Sequence, residues 1–178
     1  VIKLNRPEKR NALDPETVMM FNEFSEKAKD PKFKAVIVTG DESAFCGGAD
    51  ITAAASEDGM GWESVEQALN EGYHVGLNNM IYMDKVVIAA VEGACAGIGC
   101  AYYLSSDITV MAKSSFFQIG FSKIALIPDG GSNWLLTKVV GYQQAFRMAA
   151  EAKRVSAEEC QSLGTVSYTH LTLPTTLQ

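Results

Sequence analysis

A chain of 178 residues, 47% apolar and 20% charged, is long enough to bury one core of its own and has the balance of an ordinary globular domain. Its net charge of −6 supplies no basic face for a nucleic-acid duplex, and apolar runs such as residues 86–91 are far too short to span a bilayer. Four cysteines (Cys46, Cys95, Cys100, Cys160) form no CxxC pair and only two histidines accompany them, which disfavours zinc and favours free, buried thiols in a reducing cytosol.

The chain opens in "VIKL", read as the end of a strand in a fragment that begins inside it, and "NRPEKRNAL" follows as a polar turn. Asp14 then caps a helix with Pro15 at its first position, and Thr17, Met20, Phe21, Phe24 and Ala28 are expected to form its buried face. "KAVIVTG" (34–40) is a buried strand, "DESAFCGGAD" a loop, and residues 52–61 a small, polar stretch. Residues 62–82 read as helix, 85–93 as a second buried strand, 97–105 as a helix and 107–112 as a third strand. After the Pro-Asp-Gly-Gly turn, 131–140 and 142–152 read as helices, and Ser156 with Glu159 forms a capping box for a last short one. From Val166 the segment "VSYTHLTLPTTLQ" carries no charge and no helical or strand-like apolar face. It is similar to an in-frame translation of a sequencing-adapter end, so residues 1–165 are taken as the incomplete core and 166–178 as a non-native tail. Strands apolar on both faces, alternating with helices, imply an α/β layering.

Two loops after buried strands set glycine beside small residues: "FCGGADI" (45–51) and "GACAGIG" (93–99). Such loops let a ligand approach the backbone, and two of them can converge on one oxygen as an oxyanion hole. "GIGCAY" is a poor dinucleotide fingerprint, because Tyr102 stands where a third glycine belongs. No Gly-rich loop is followed by Lys-Ser or Lys-Thr, so there is no P-loop.

"LNRPEKRNALD", "AFCGGADI", "AAVEGACAGIGCAYYLSSDITVMA" and "GFSKIALIPDGGSNWLL" together resemble the successive signatures of the enoyl-CoA hydratase/isomerase, or crotonase, superfamily. The resemblance covers residues 1–164 and implies a spiral of ββα units, here truncated at both ends, a homotrimer or dimer of trimers, an acyl-CoA thioester substrate and no cofactor. It implies that the backbone N–H groups of Ala49 and Ile98 hold the thioester oxygen. It also implies that Arg10, Asn11 and Ala12 line the CoA pantetheine and phosphates, and that Ala49, Asp50 and Ile51 flank the adenine end. The glutamates that activate water in the hydratases fall on Ala101 and Phe121, which move no proton. Several isomerases of the family carry a single acid in the turn that Asp129 occupies.

Asp129 in "IPDGGSNW" therefore has two readings: an N-cap for the following helix, since Asp is favoured there, or a proton shuttle. The expected function is a Δ3 to Δ2 double-bond shift in an enoyl-CoA with Asp129 as its single acid. The alternatives are hydration or another crotonase reaction with a relocated base, and a catalytically silent binding relative. Met60, Trp62 and Tyr73 fall in the segment that shapes the acyl pocket in this family. Asp50 and Asp107 read as structural acids, Glu92 as a spare acid, Tyr102 and Tyr103 as core. His74 reads as surface or core, and Arg6, Lys9 and Arg10 as phosphate ligands or a solvated turn.

Overall fold

The computed structural model describes residues 1–54 and 62–170. In chain order the strands are β1 (Ile2–Lys3), β2 (Ala35–Thr39), β3 (Ala44–Cys46), β4 (Val86–Val91), β5 (Ala94–Ala96), β6 (Ile108–Ala112), β7 (Phe116–Gln118), β8 (Val155–Ser156) and β9 (Tyr168–His170). The helices are α1 (Pro15–Lys27), α2 (Ile51–Ala54), α3 (Val65–Gln67), α4 (His74–Ile81), α5 (Gly99–Leu104), α6 (Ser132–Val140), α7 (Tyr142–Glu151) and α8 (Ala157–Ser162). A π-helical stretch, Ala68–Tyr73, joins α3 to α4, and a 3-10 turn spans Phe121–Ile124.

The long apolar runs become one parallel sheet in the order β1-β2-β4-β6-β9. β2, β4 and β6 are each followed within a few residues by a three-residue strand of a second sheet (β3, β5 and β7), which is ordered β3-β5-β7-β8 and parallel except at its last pair. Those three turns of the chain each lay one strand in each sheet before the helix that follows, which is the ββα spiral. Residues such as Phe45, Phe117, Val87 and Val91 are fully buried, and each large apolar side chain so enclosed contributes about 1.5–3 kcal/mol. Tyr103 is buried with them because its hydroxyl donates to Thr165 O at 2.6 Å. Gly93 marks a closest approach: it has φ +64, and a side chain there would run into the Ser43 carbonyl.

Three expectations change. Strands β3 and β5 lie in stretches read as loops, since three residues of Ala, Phe and Cys show no period, and β7 was given no reading. The buried face of α1 is Val18, Phe21, Asn22 and Ser25, while Met20 and Phe24 lie exposed. That face keeps helical spacing, but two of its members are polar. They are tolerated because Asn22 Nδ2 donates to Gly72 O at 3.0 Å and Ser25 Oγ to Asn22 O at 2.9 Å. Finally, the segment from Val166 does supply a strand: Val166 is buried, Ser167 N donates to Thr109 O at 2.9 Å, and β9 pairs with β6. Asp14 and the Ser156–Glu159 box cap their helices as read, Asp14 Oδ1 accepting from Thr17 N at 2.9 Å.

Because β3, β5 and β7 are neighbours and parallel, the turns that leave their C-terminal ends lie side by side. In an open α/β sheet that edge is where ligands bind.

Candidate active site

The turn after β3 is tied to the segment before α1. Gly47 N donates to Arg10 O at 2.8 Å, Leu13 N to Gly48 O at 2.8 Å, and Asp50 N to Leu13 O at 2.9 Å. Leu13 thus bridges Ala49 in parallel fashion. With both neighbours of Ala49 bonded to Leu13, the pleat turns the N–H of Ala49 to the opposite side. In the turn after β5, Gly97 N donates to Gln118 O at 3.1 Å, while Ile98 N lies just ahead of the first turn of α5. Neither Ala49 N nor Ile98 N donates to an acceptor among the described residues. The two turns touch backbone to backbone: Gly48 has φ +104 and Gly97 φ +55, and a Cβ on Gly97 would lie 3.4 Å from Gly48 Cα. Only glycine at both places brings the two donors together.

Ala49 and Ile98 share the wall of one cavity, about 440 Å³, with Asp129. Arg10, Ala12, Asp50 and Ile51 line the same cavity, as do Lys9 and Phe121. Of the catalytic, oxyanion-hole and CoA-binding residues expected from the sequence, Asn11 is missing from its lining; Arg6, Trp62 and Tyr73 are not on it either. Asn11 is 1% exposed; its Nδ2 donates to Asp41 Oδ2 at 2.8 Å and Ala44 O at 2.6 Å, and its Oδ1 accepts from Arg6 N at 2.7 Å. It is a buried knot beneath the turn, with both side-chain N–H donors spent inside the fold.

Asp129 does not cap α6. The cap position is Gly131, without a side-chain bond, and Asp129 instead uses its main-chain carbonyl, which accepts from Ser132 N at 2.9 Å and Ser132 Oγ at 2.6 Å. Gly130 (φ +58) and Gly131 (φ +77) turn the chain so that the carboxylate is swung away from the helix start. Its Oδ1 is buried and has no hydrogen-bond partner among the described residues. Burial pushes the carboxyl up to about 6. Ala101 and Phe121 are both buried and apolar beside it, and a Cβ on Gly130 would lie 3.6 Å from Ala101 Cβ. Tyr73 is a buried neighbour whose hydroxyl donates to Leu13 O at 3.4 Å; burial first, then the Asp129 charge, raises its phenol. Trp62 lies against it, ring centroids 6.0 Å apart, while Met60 falls outside the described residues.

Arg6, read from the sequence as a phosphate ligand or part of a solvated turn, pairs with Asp14 at 3.0 Å and Asp50 at 3.1 Å and donates to Ala12 O at 2.6 Å. The clamp closes around Leu13 and Ala49. Burial pushes the Asp14 carboxyl up, but the Thr17 hydrogen bonds and the Arg6 charge outweigh it and hold it below its ordinary value. No sequence signal links positions 6, 14 and 50; the fold brings them together.

Asp107 is structural, its Oδ2 accepting from Val87 N at 2.8 Å. Tyr102 lies in the core edge-on to Phe21, its hydroxyl without a partner among the described residues. All four cysteines are buried free thiols, and burial pushes Cys46 up to about 12, which leaves it unreactive. Among the described residues no His, Cys, Asp and Glu group could hold a metal, and no helix is long and apolar enough to cross a membrane. A larger cleft of about 630 Å³ between α6 and α7 is lined, among the described residues, by no carboxylate, imidazole or ammonium group.

With this geometry in view, comparison with known proteins is direct. The family profile described as enoyl-CoA hydratase/isomerase matches residues 1–170. A Rhodobacter capsulatus protein named as a probable enoyl-CoA hydratase is 36% identical over 166 residues, covering 93% of this chain and 63% of its own. The 1,2-epoxyphenylacetyl-CoA isomerase of Escherichia coli is 33% identical over 173 residues, with the same 93% and 63% covered. The crystal structure of an enoyl-CoA hydratase from Bacillus anthracis superposes with a TM-score of 0.87 at 26% identity, covering 94% of this chain and 64% of that one. The chain therefore spans a little under two thirds of the length of these relatives. A matching family profile over almost the whole chain and a shared crotonase fold lead to one conclusion: this chain belongs to the enoyl-CoA hydratase/isomerase family.

Proposed function

We propose that the protein shifts the double bond of an enoyl-CoA from Δ3 to Δ2, with Asp129 as its single proton carrier. The observation that carries this reading is the state of Asp129: a buried carboxylate oxygen without a partner among the described residues, on the same cavity as two backbone N–H groups that donate to none of them. The thioester oxygen lies between Ala49 N–H and Ile98 N–H. Asp129 takes a proton from C2, and the negative charge spreads as a dienolate onto the thioester oxygen. The two donors stabilise that charge without reorganising, each contributing on the order of 3 kcal/mol. The acid then returns the same proton at C4, so atoms and charge balance with no cofactor. A carboxyl held near 6 is suited to both halves of the shuttle near neutral pH.

Ala101 and Phe121, apolar at the positions of the hydratase glutamates, leave nothing there to activate water. The E. coli relative is named as an isomerase, which supports the same side of the family. Arg10, Ala12, Asp50 and Ile51 on the cavity wall are the proposed CoA-side residues, with Lys9 added from the structure. The exposed apolar side chains of Trp134, Tyr142 and Phe146 support burial of that face in a trimeric assembly. Free thiols support a cytoplasmic location.

The test uses protein from the complete gene, offered a 3-enoyl-CoA and a 2-enoyl-CoA in parallel, with products separated by retention and mass. Interconversion without a mass change, lost in Asp129→Asn, is the expected result. A product heavier by one water returns the protein to the hydratases. Activity surviving in Asp129→Asn removes Asp129 as the base. No turnover of either substrate leaves the silent binding relative.

A further inference from the structure

Ile98 meets the cavity in two ways. Its N–H is one of the two free donors, and its side chain, 3% exposed, lies under the turn that carries the acid. A Cβ placed on Gly130 would sit 2.6 Å from Ile98 Cγ1 and 2.8 Å from Cδ1. The backbone next to Asp129 therefore rests directly on the outer carbons of the isoleucine, with no space for a methyl group. The left-handed φ of Gly130 already favours glycine; the contact with Ile98 is a second, separate reason for it. On the other side of the same turn, Ser132 holds the Asp129 carbonyl through its N–H and Oγ at 2.9 and 2.6 Å. The peptide is gripped from both sides, although the carboxylate Oδ1 has no partner of its own among the described residues.

Resting on the isomerase reading, we infer that the Ile98 side chain is a positioning residue for Asp129. It fixes how far the acid stands from the oxyanion donor of the same residue, and hence which carbons of the acyl chain the carboxylate reaches. Donor and strut being one residue, the carbonyl anchor and the acid cannot drift apart independently. A misplacement of about 1 Å in such a pair costs on the order of 100-fold in rate. The titratable groups around the acid are Tyr73 from the π-helical stretch and, on the same cavity, Lys9, Arg10 and Asp50. None of them is altered in the variants below.

The experiment compares wild type, Ile98→Val, Ile98→Ala, Gly130→Ala and the double variant Ile98→Ala/Gly130→Ala, made from the complete gene. Rates with a short 3-enoyl-CoA are resolved into kcat and KM. The Asp129 carboxyl is titrated by carbon NMR without substrate, assigned by its loss in Asp129→Asn. Ile98→Ala is expected to lower kcat on the order of 100-fold with KM within about threefold, and to lower the Asp129 midpoint as water enters. Ile98→Val, short of one methyl, should recover most of both. Gly130→Ala should lose kcat, and the double variant should regain part of it because the smaller side chain makes room.

Unchanged kcat and an unchanged midpoint in Ile98→Ala overturn the positioning role, as does an equal loss in Ile98→Val. If Ile98→Ala unfolds, Ile98→Val decides: a loss in kcat and a shifted midpoint support the role, and neither overturns it. Failure of wild type to move the double bond is failure of the isomerase reading. The NMR midpoint then judges the strut alone, a shift in Ile98→Ala supporting it and no shift overturning it.

Discussion

Replacing Asp129 by asparagine should make the protein more heat-stable at neutral pH and leave it unchanged at acid pH. The carboxyl titrates at about 6 in the fold and has an ordinary value of 3.8, with burial as the cause. Below about pH 4 it is protonated in both the folded and the unfolded chain and contributes nothing. As pH rises toward 6 the unfolded chain ionises first, so unfolding releases a proton and becomes progressively easier. Above about 6 both states are ionised and the penalty is complete. At 1.36 kcal/mol per pH unit the gap is about 3 kcal/mol, and screening of a partly exposed carboxylate reduces it to about 1–2 kcal/mol. For a chain of this size that raises Tm by roughly 2–8 °C. Asparagine keeps the shape and cannot ionise, so it removes the penalty. The assay is a pair of thermal melts, wild type and Asp129→Asn, at about pH 4 and pH 8 and equal ionic strength. A lower Tm for the variant at pH 8, or the same difference at both pH values, would refute the reasoning and return Asp129 to a structural role.

The same carboxyl should govern rate in the opposite sense: kcat/KM for the double-bond shift should climb with pH through a one-proton limb near 6 and then level, as initial rates across pH would display. Arg6→Gln breaks the ion pairs to Asp14 and Asp50. It should cost about 2 kcal/mol in chemical denaturation and lower kcat by about tenfold more than it raises KM, because the Ala49 donor loses its clamp. Asn11→Ala removes three internal hydrogen bonds at a left-handed φ of +53. It should lose on the order of 3 kcal/mol of stability; a stable variant with a KM raised tenfold would instead make Asn11 a direct CoA ligand.

The pattern along the chain was sufficient for four of the five strands of the first sheet, β9 being the exception, and for most helices. Long apolar runs can only be covered parallel strands, and Asp14-Pro15 and Ser156-Glu159 are local signals that need nothing distant to act. The second sheet was illegible because its strands are three residues long and are held by their neighbours rather than by a period of their own. The face of α1 was misread because Asn22 and Ser25 are buried polar residues held by other elements: Asn22 Nδ2 donates to Gly72 O and Ser25 Oγ accepts from Asn79 Nδ2, while Asn22 Oδ1 has no partner among the described residues.

For the site, the paired glycine loops suggested that two turns meet at one oxygen, and the family resemblance supplied positions 49, 98 and 129. The means of that meeting was not legible, because it depends on β3, β5 and β7 lying side by side. The same holds for the choice between cap and shuttle. An aspartate ahead of a helix is a cap by local preference, and only the left-handed turn at Gly130–Gly131, seated on Ile98 from another loop, directs the carboxylate elsewhere. Asn11 shows the converse: its sequence neighbours line the cavity, while its own side chain is drawn inward by Asp41 and Ala44, 30 and 33 residues away along the chain. The sequence by itself determined which groups are available and what chemistry they carry. The tertiary structure alone decided which are spent on holding the fold and which are left free, because hydrogen-bond partners and burial are properties of neighbours in space.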